Sequence, residues 1–311
     1  MDKSFNCPPI LFLIFNRPDL TRRVFNRIRE AQPRTLFISA DGPRKDHPND
    51  PLLCLKAREI IYDVDWECDV KTLFHDKNLG CRNAVSNAIS WFFTFIDKGI
   101  ILEDDCLPDF SFFEYCEELL YRYEFDERIG IISGNNFINP PNFENSYYFT
   151  NFPHMWGWAS WKRIWENYDI GISEWPQLRS TSFLQFNIGS KKYIKNWEEI
   201  FDRTHGNKID TWDYQLVFNL WKHNQLSIAP KFNLVSNIGF GTQSTHTFDT
   251  DSEFANLPIS KLVFPLIHPK KVERNLAFDY KELKIQFRSQ SKIISLLKKI
   301  KKKSFYLFNR K

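Results

Sequence analysis

Gly99-Ile100-Ile101-Leu102-Glu103-Asp104-Asp105-Cys106 is a short apolar run that ends abruptly in three consecutive acids. A continuous apolar run of this length reads as a strand buried on both faces, the pattern of a parallel sheet. Working outward, similar runs recur at Ile10–Phe15, Thr35–Ser39 and Ile129–Ser133, and Val70–Phe74 reads as a further strand. Helical patterns separate the runs. Pro18 suits the first turn of a helix, with Leu20, Val24 and Ile28 on one face. Pro51 starts a second helix through Tyr62. Asn83 to Phe95 carries Val85, Ala88, Ile89 and Phe92, and then Ile96, on one buried face. Phe110 to Tyr123 is a fourth helix. Strand–helix alternation with connections of this length predicts an α/β fold: a mostly parallel, Rossmann-like sheet, doubly wound by right-handed crossovers and flanked by helices.

Composition is consistent with a globular chain. Of 311 residues, 42% are hydrophobic and 26% charged, which excludes a mostly disordered protein. The net charge of +4 is misleading. Residues 291–311 hold eight Lys/Arg and no acid, so the other 290 residues set 34 basic against 38 acidic residues. A mildly acidic body lacks the basic face that nucleic acid requires, so no nucleic-acid partner is expected. No stretch reaches the roughly 18 apolar residues of a membrane span. The run Pro8–Phe15 is too short and lacks the basic flank of a signal peptide. The six Cys, at 7, 54, 68, 81, 106 and 116, show no CxxC spacing and read as free thiols in a reducing cytoplasm.

Beyond residue 135 the texture changes. Asn and Pro crowd residues 135–145 into a long loop, four Trp follow (Trp156, Trp158, Trp161, Trp165), and residues 183–224 look helical. Residues 226–247 read as a strand and then a Gly-rich loop. One domain over 1–284 is expected, with a nucleotide-binding half at about 8–135 and an acceptor-binding half at about 136–260. Residues 285–311 form a separate basic tail. There, Ile293, Leu296, Leu297 and Ile300 make an apolar stripe beside a Lys-rich face, the pattern of a helix that lies on an anionic membrane surface. A solvated end is the alternative.

Chemistry concentrates at the strand ends. Open α/β sheets bind ligands at the carboxyl edge of their strands. Glu103, Asp104 and Asp105 lie there, and adjacent acids need a counter-charge, which a divalent cation with substrate phosphates supplies. Arg17 follows the first strand at the same edge and offers forked, charge-assisted bonds to a pyrophosphate or base. Asp41 follows the second strand, where an acceptor can take the imide N–H of uracil. Asn78 and Arg82 flank the start of the third helix, whose N-terminus attracts anions. Singly, each is as readily a surface charge, a turn or a helix cap; their convergence on one edge is the signal. In the second half, Asp213 lies between Trp212 and Tyr214, an aromatic setting that suits a general base. The reading as a helix cap is equally open. His246 could reach a metal or phosphate, although a lone His is more often structural. Trp156, Trp158 and Trp212 are either core or stacking surfaces for sugar rings.

Taken together, these residues resemble the glycosyltransferases of the GT-A fold. The likeness is to the Golgi β-1,2-N-acetylglucosaminyltransferase family that initiates complex N-glycans and to its bacterial nucleotide-diphospho-sugar transferase relatives. It rests on Arg17 after a strand, the strand end Ile38-Ser39-Ala40-Asp41, and Leu102-Glu103-Asp104-Asp105 followed by Pro108-Asp109-Phe110 and Phe113-Glu114-Tyr115. Trp156-Gly157-Trp158, Trp212-Asp213 and Asn237-Ile238-Gly239-Phe240-Gly241 complete it, over about residues 8–247. The resemblance implies that Asp105 binds Mn²⁺ (or Mg²⁺) directly, Asp104 the ribose and Glu103 the donor sugar. Arg17 and Asp41 would hold the nucleotide, with UDP favoured. Asp213 would deprotonate the acceptor hydroxyl in an inverting displacement, and the Gly-Trp segment would face the acceptor. His246 as a metal ligand goes beyond the resemblance.

The Golgi enzymes carry an N-terminal membrane anchor that this sequence lacks. The expectation is therefore a cytoplasmic bacterial enzyme of surface-polysaccharide synthesis, peripheral on the inner membrane face and acting on a glycan or lipid-linked acceptor. A sugar-phosphate nucleotidyltransferase would want a Gly-rich loop after the first strand, where Asn16-Arg17-Pro18 has none. A non-catalytic membrane-tethered module would have no use for Glu103-Asp104-Asp105 and Asp213.

Overall fold

In the computed structural model, residues 5–138, 140, 143–240 and 254–287 are described. His246 and residues 288–311 of the basic tail lie outside them.

The chain order is β1 (Ile10–Ile14), α1 (Pro18–Ala31), β2 (Thr35–Ala40), α2 (Asp50–Arg58), β3 (Asp69–Phe74), α3 (Cys81–Phe95), β4 (Lys98–Glu103) and β5 (Cys106–Pro108). Next come α4 (Phe110–Arg122), β6 (Ile129–Ser133), β7 (Tyr147–Thr150), β8 (Trp158–Trp161), α5 (Lys162–Trp165), α6 (Trp175–Leu178) and α7 (Phe183–Ile188). Then follow α8 (Lys191–His205), α9 (Asp213–Lys222), β9 (Leu226–Pro230), β10 (Val235–Asn237) and α10 (Leu276–Gln286). The architecture is α/β, with an eight-stranded sheet in the order β3-β2-β1-β4-β8-β6-β9-β7. β3, β2, β1 and β4 are mutually parallel. β8 runs antiparallel to both its neighbours, and β7 antiparallel to β9. Six strands thus share one direction, and their carboxyl ends form one edge.

The apolar runs become strands because they are buried on both faces. All five residues of β1 are buried, as are all five of β6. α1 presents Val24, Phe25 and Ile28 to the core, and Pro18 occupies its first turn. All six cysteines are free, with Cys7, Cys54, Cys106 and Cys116 buried. β8 lies between β4 and β6 in the sheet. One expectation changes. The helix from Pro51 ends as α-helix at Arg58 and continues as a 3₁₀ turn to Asp63.

The acids after β4 are fixed by a second, two-stranded sheet. β5 pairs antiparallel with β10, so that Cys106 faces Asn237 and Pro108 faces Val235. The Ile238 amide donates to the Asp105 carbonyl at 2.8 Å. Asp109 then caps α4, its Oδ1 accepting from the Ser111 amide at 2.9 Å.

Candidate active site

One cavity of about 530 Å³ opens at the carboxyl edge of the parallel strands. That volume lies in the range of small-ligand sites. Arg17, Asp41, Asn78, Glu103, Asp104 and Asp105 all line it. Trp156, Trp212 and Asp213 line it too. The edge predicted from strand ends is therefore one continuous site, shared by the two halves of the chain.

The acid triplet is already partly neutralised from within. Arg17 donates through Nη1 to Asp105 Oδ2 at 2.9 Å and also pairs with Asp104 through Nη2. The Phe15 amide reaches Asp104 Oδ2 at 3.3 Å. Asp104 and Asp105 are both buried. Burial works against the Arg17 cation, but the two carboxylates beside it prevail and hold its pKa above the ordinary value. Burial raises the pKa of Asp104, with Arg17 opposing. Glu103 lies beyond the fork of Arg17, and no hydrogen bond reaches its carboxylate among the described residues. Burial, then repulsion from Asp105 and Asp104, pushes it up to about 8.

The oxygen donors fit a hard divalent cation. Among the described residues, however, no group of three or more His, Cys, Asp or Glu is arranged to hold a metal. The triplet fits a cation held by one or two carboxylates and otherwise by substrate phosphates, which is usual for Mg²⁺. Gly239 sits against this point, and a Cβ there would overlap the Asp105 carboxylate.

Asp41 and Asn78 act on each other. Asn78 Nδ2 donates to Asp41 Oδ2 at 2.8 Å, and the Leu79 and Gly80 amides donate to the same carboxylate at 2.9 and 3.2 Å. Burial raises the Asp41 pKa, and these amides lower it. The N-terminus of α3, expected to attract a ligand anion beside Arg82, holds an internal one. Asp210 accepts from the Cys81 amide at 3.1 Å and from the Arg82 amide at 3.0 Å. The Arg82 guanidinium is bonded to Asn207 and does not line the cavity.

Asp213 opens α9, accepting from Thr211 Oγ1 and, at 2.8 Å, from the Tyr214 amide. The readings as helix-terminal acceptor and as cavity acid are therefore compatible. The three tryptophans separate. Trp158 is 1% exposed, lies in β8 and does not line the cavity. Its expectation as an acceptor platform is corrected: its ring stacks on Trp212 at 5.7 Å inside the core. Trp212 is also buried, with only one surface on the cavity. Trp156 is half-buried and packs edge-on to Phe137 and Phe240 at the cavity wall.

Three site residues had no sequence signal of their own. Asp50 is buried, accepts from Asn16 Nδ2 at 2.8 Å and Arg44 Nε at 2.7 Å, and is lowered to about 2 because these bonds outweigh its burial. It braces the turn that carries Arg17. His154 and Glu282 pair at 3.2 Å on the far cavity wall. Glu282 comes from α10, beyond the span of the family resemblance.

No family model matches the sequence, and no curated protein matches it. Several solved structures are similar to part of the chain. HddC from Yersinia pseudotuberculosis is 11% identical, with 52% of this chain and 80% of that one covered and a TM-score of 0.32. The inositol-1-phosphate CTP transferase from T. maritima is 9% identical, with coverage of 79% and 94% and a TM-score of 0.37. The glycosyltransferase GlyE of Streptococcus pneumoniae TIGR4 is 13% identical, with coverage of 72% and 45% and a TM-score of 0.32. Likenesses of this size bear neither on the activity nor on the roles of residues.

Among the described residues no helix is long and apolar enough to cross a membrane.

Proposed function

We propose that the chain is a GT-A glycosyltransferase that moves a sugar from a nucleotide-diphosphate donor, UDP being the favoured carrier, to an acceptor hydroxyl with inversion. The observation that carries this reading is the placing of Glu103-Asp104-Asp105 and Asp213 around one cavity at the carboxyl edge of a parallel sheet. Asp105 would hold Mn²⁺ or Mg²⁺, which supplies charge neutralisation for the leaving nucleoside diphosphate, with Asp104 toward the ribose and Glu103 toward the donor sugar. Arg17 already lies between these acids and can turn its forked donors to a pyrophosphate. Asp41 organises the turn at residues 78–80 and lines the cavity where the base would lie. Asp213, on the opposing segment, accepts the proton of the acceptor hydroxyl. Trp156 offers the stacking face beside it. The acceptor as a glycan or lipid-linked sugar, and attachment to an anionic membrane through the Lys-rich tail, belong to the same proposal.

A triphosphate-using nucleotidyltransferase is disfavoured by the β1–α1 connection. It is three residues long, Phe15-Asn16-Arg17, without glycine, and Asn16 is committed to Asp50. The test is thermal stability against UDP, GDP, CMP and dTDP, each with and without Mn²⁺. A ligand at about 100 times its Kd stabilises by roughly 2.7 kcal/mol. The proposal expects a Mn²⁺-dependent shift that Asp105→Ala abolishes. Correctly folded protein that responds to no nucleotide would sink it.

A further inference from the structure

Four consecutive backbone amides, those of Leu79, Gly80, Cys81 and Arg82, are shared between two carboxylates that both line the cavity and come from distant parts of the chain. Leu79 and Gly80 donate to Asp41 at the end of β2. Cys81 and Arg82 donate to Asp210, 129 and 128 residues away in sequence. The segment has no cap of its own. Gly80 is the residue before α3, has φ +81° and offers no side chain. The first amides of a helix lack intrahelical partners, so an acceptor must come from elsewhere. It comes from the connection between α8 and α9, three residues before Asp213. Arg82 grips the same connection a second time, through Asn207.

We propose that Asp210 is a positioning residue for Asp213, and that the 79–82 turn couples the nucleotide side of the cavity to the base side. This rests on the glycosyltransferase reading for what Asp213 does, but not for the clamp itself. The logic is geometric. Thr211, Trp212 and Asp213 follow Asp210 directly, and all three line the cavity. Anchoring Asp210 on α3 fixes where that short segment starts, and Trp212 packed on Trp158 fixes where it turns inward. Movement of Asp41 on nucleotide binding would pass through Leu79 and Gly80 to the amides that hold Asp210.

The contact can be broken from either side. Asp210→Asn keeps the shape but loses one acceptor and the charge. Gly80→Ala places a Cβ 2.9 Å from Asp210 Oδ2 in a backbone conformation that alanine resists. Amide hydrogen exchange on each full-length variant is the first readout. Both variants should lose at least tenfold protection at residues 206–214 as well as at 79–84. Loss confined to 79–84 would mean a plain helix cap and overturn the proposal. The second readout is kinetic: both variants should lower kcat about tenfold, Asp210→Asn with donor KM within twofold, and the double variant should be no worse than the poorer single. An unchanged kcat, or additive losses, would overturn it. Should the wild type turn over no nucleotide sugar, the functional reading fails, while hydrogen exchange still decides the clamp.

Discussion

Arg17→Met gives the sharpest test of how the acid triplet is held together. The substitution keeps an unbranched, flexible side chain and removes its guanidinium and its charge. Asp104 and Asp105 remain, with side chains 3% and 11% exposed and no other ion-pair partner among the described residues. Removing one partner of a buried ion pair costs about 3–5 kcal/mol, because the remaining charge is left uncompensated. Melting entropies of about 2.1 cal/mol/K per residue, over 311 residues, give roughly 0.65 kcal/mol per degree. The melting temperature should therefore fall by about 5–8 °C. The pH dependence has a definite sign. Without Arg17 the folded-state pKa of Asp104, already raised by burial, rises further above its unfolded value, and a raised acid loses stability as pH rises through its folded pKa. The deficit against wild type should therefore be largest near pH 8 and shrink toward pH 5. Mn²⁺ should recover more stability in the variant than in the wild type, since it can supply the missing positive charge. Differential scanning fluorimetry at pH 5, 6.5 and 8, with and without Mn²⁺, reads all three arms. A fall of under about 1 °C, or a deficit that grows on acidification, would refute the reasoning.

Other expectations follow from neighbouring contacts. Trp158→Ala should cost about 3–5 kcal/mol in urea unfolding, as for a large core aromatic, whereas Trp156→Ala should stay within about 1 kcal/mol and raise the acceptor KM. Equal stability losses would contradict the separation of core from cavity wall. Gly239→Ala should displace the Asp105 carboxylate and weaken Mn²⁺-dependent nucleotide binding by calorimetry, so retained affinity would count against Asp105 as the metal residue. In metal-free protein, Glu103 is raised to about 8. The folded state then binds the extra proton between about pH 4.5 and 8, and stability should fall as pH rises across that window. Glu103→Gln should flatten the slope, and an unchanged slope in the variant would assign it elsewhere.

Much of the first half was legible because β1, β2, β4 and β6 are built on apolar runs and α1 and α3 carry periodic buried faces. The edge carrying Arg17, Asp41 and the acid triplet follows from topology once the strands are known. The second half was harder for a physical reason. β7 and β8 are four residues each, too short for period-two alternation to stand out. Trp158 and Trp161 in β8 look like a surface motif until the strand is seen to run through the middle of the sheet. Asp210 was hidden differently. Its partners are backbone amides in a distant turn, and backbone donors leave no mark in the residue alphabet. Glu282 was hidden because α10 closes the cavity from a segment that resembled nothing. His246 and the tail beyond Phe287 stand as sequence expectations.

The reversed strand β8 also sets an order of events during synthesis. β3, β2, β1 and β4 can assemble as soon as residue 103 has emerged, since each pairs within that set. β4 then keeps one side open, with unpaired backbone groups that can recruit another chain. β6 emerges next but cannot cover it, because its place is one strand further out. Only the arrival of residues 158–161 covers β4 and gives β6 a neighbour at the same moment. A nascent chain held between residues 104 and 157 therefore exposes the apolar edge of β4, and a chaperone acting on it would find its target there.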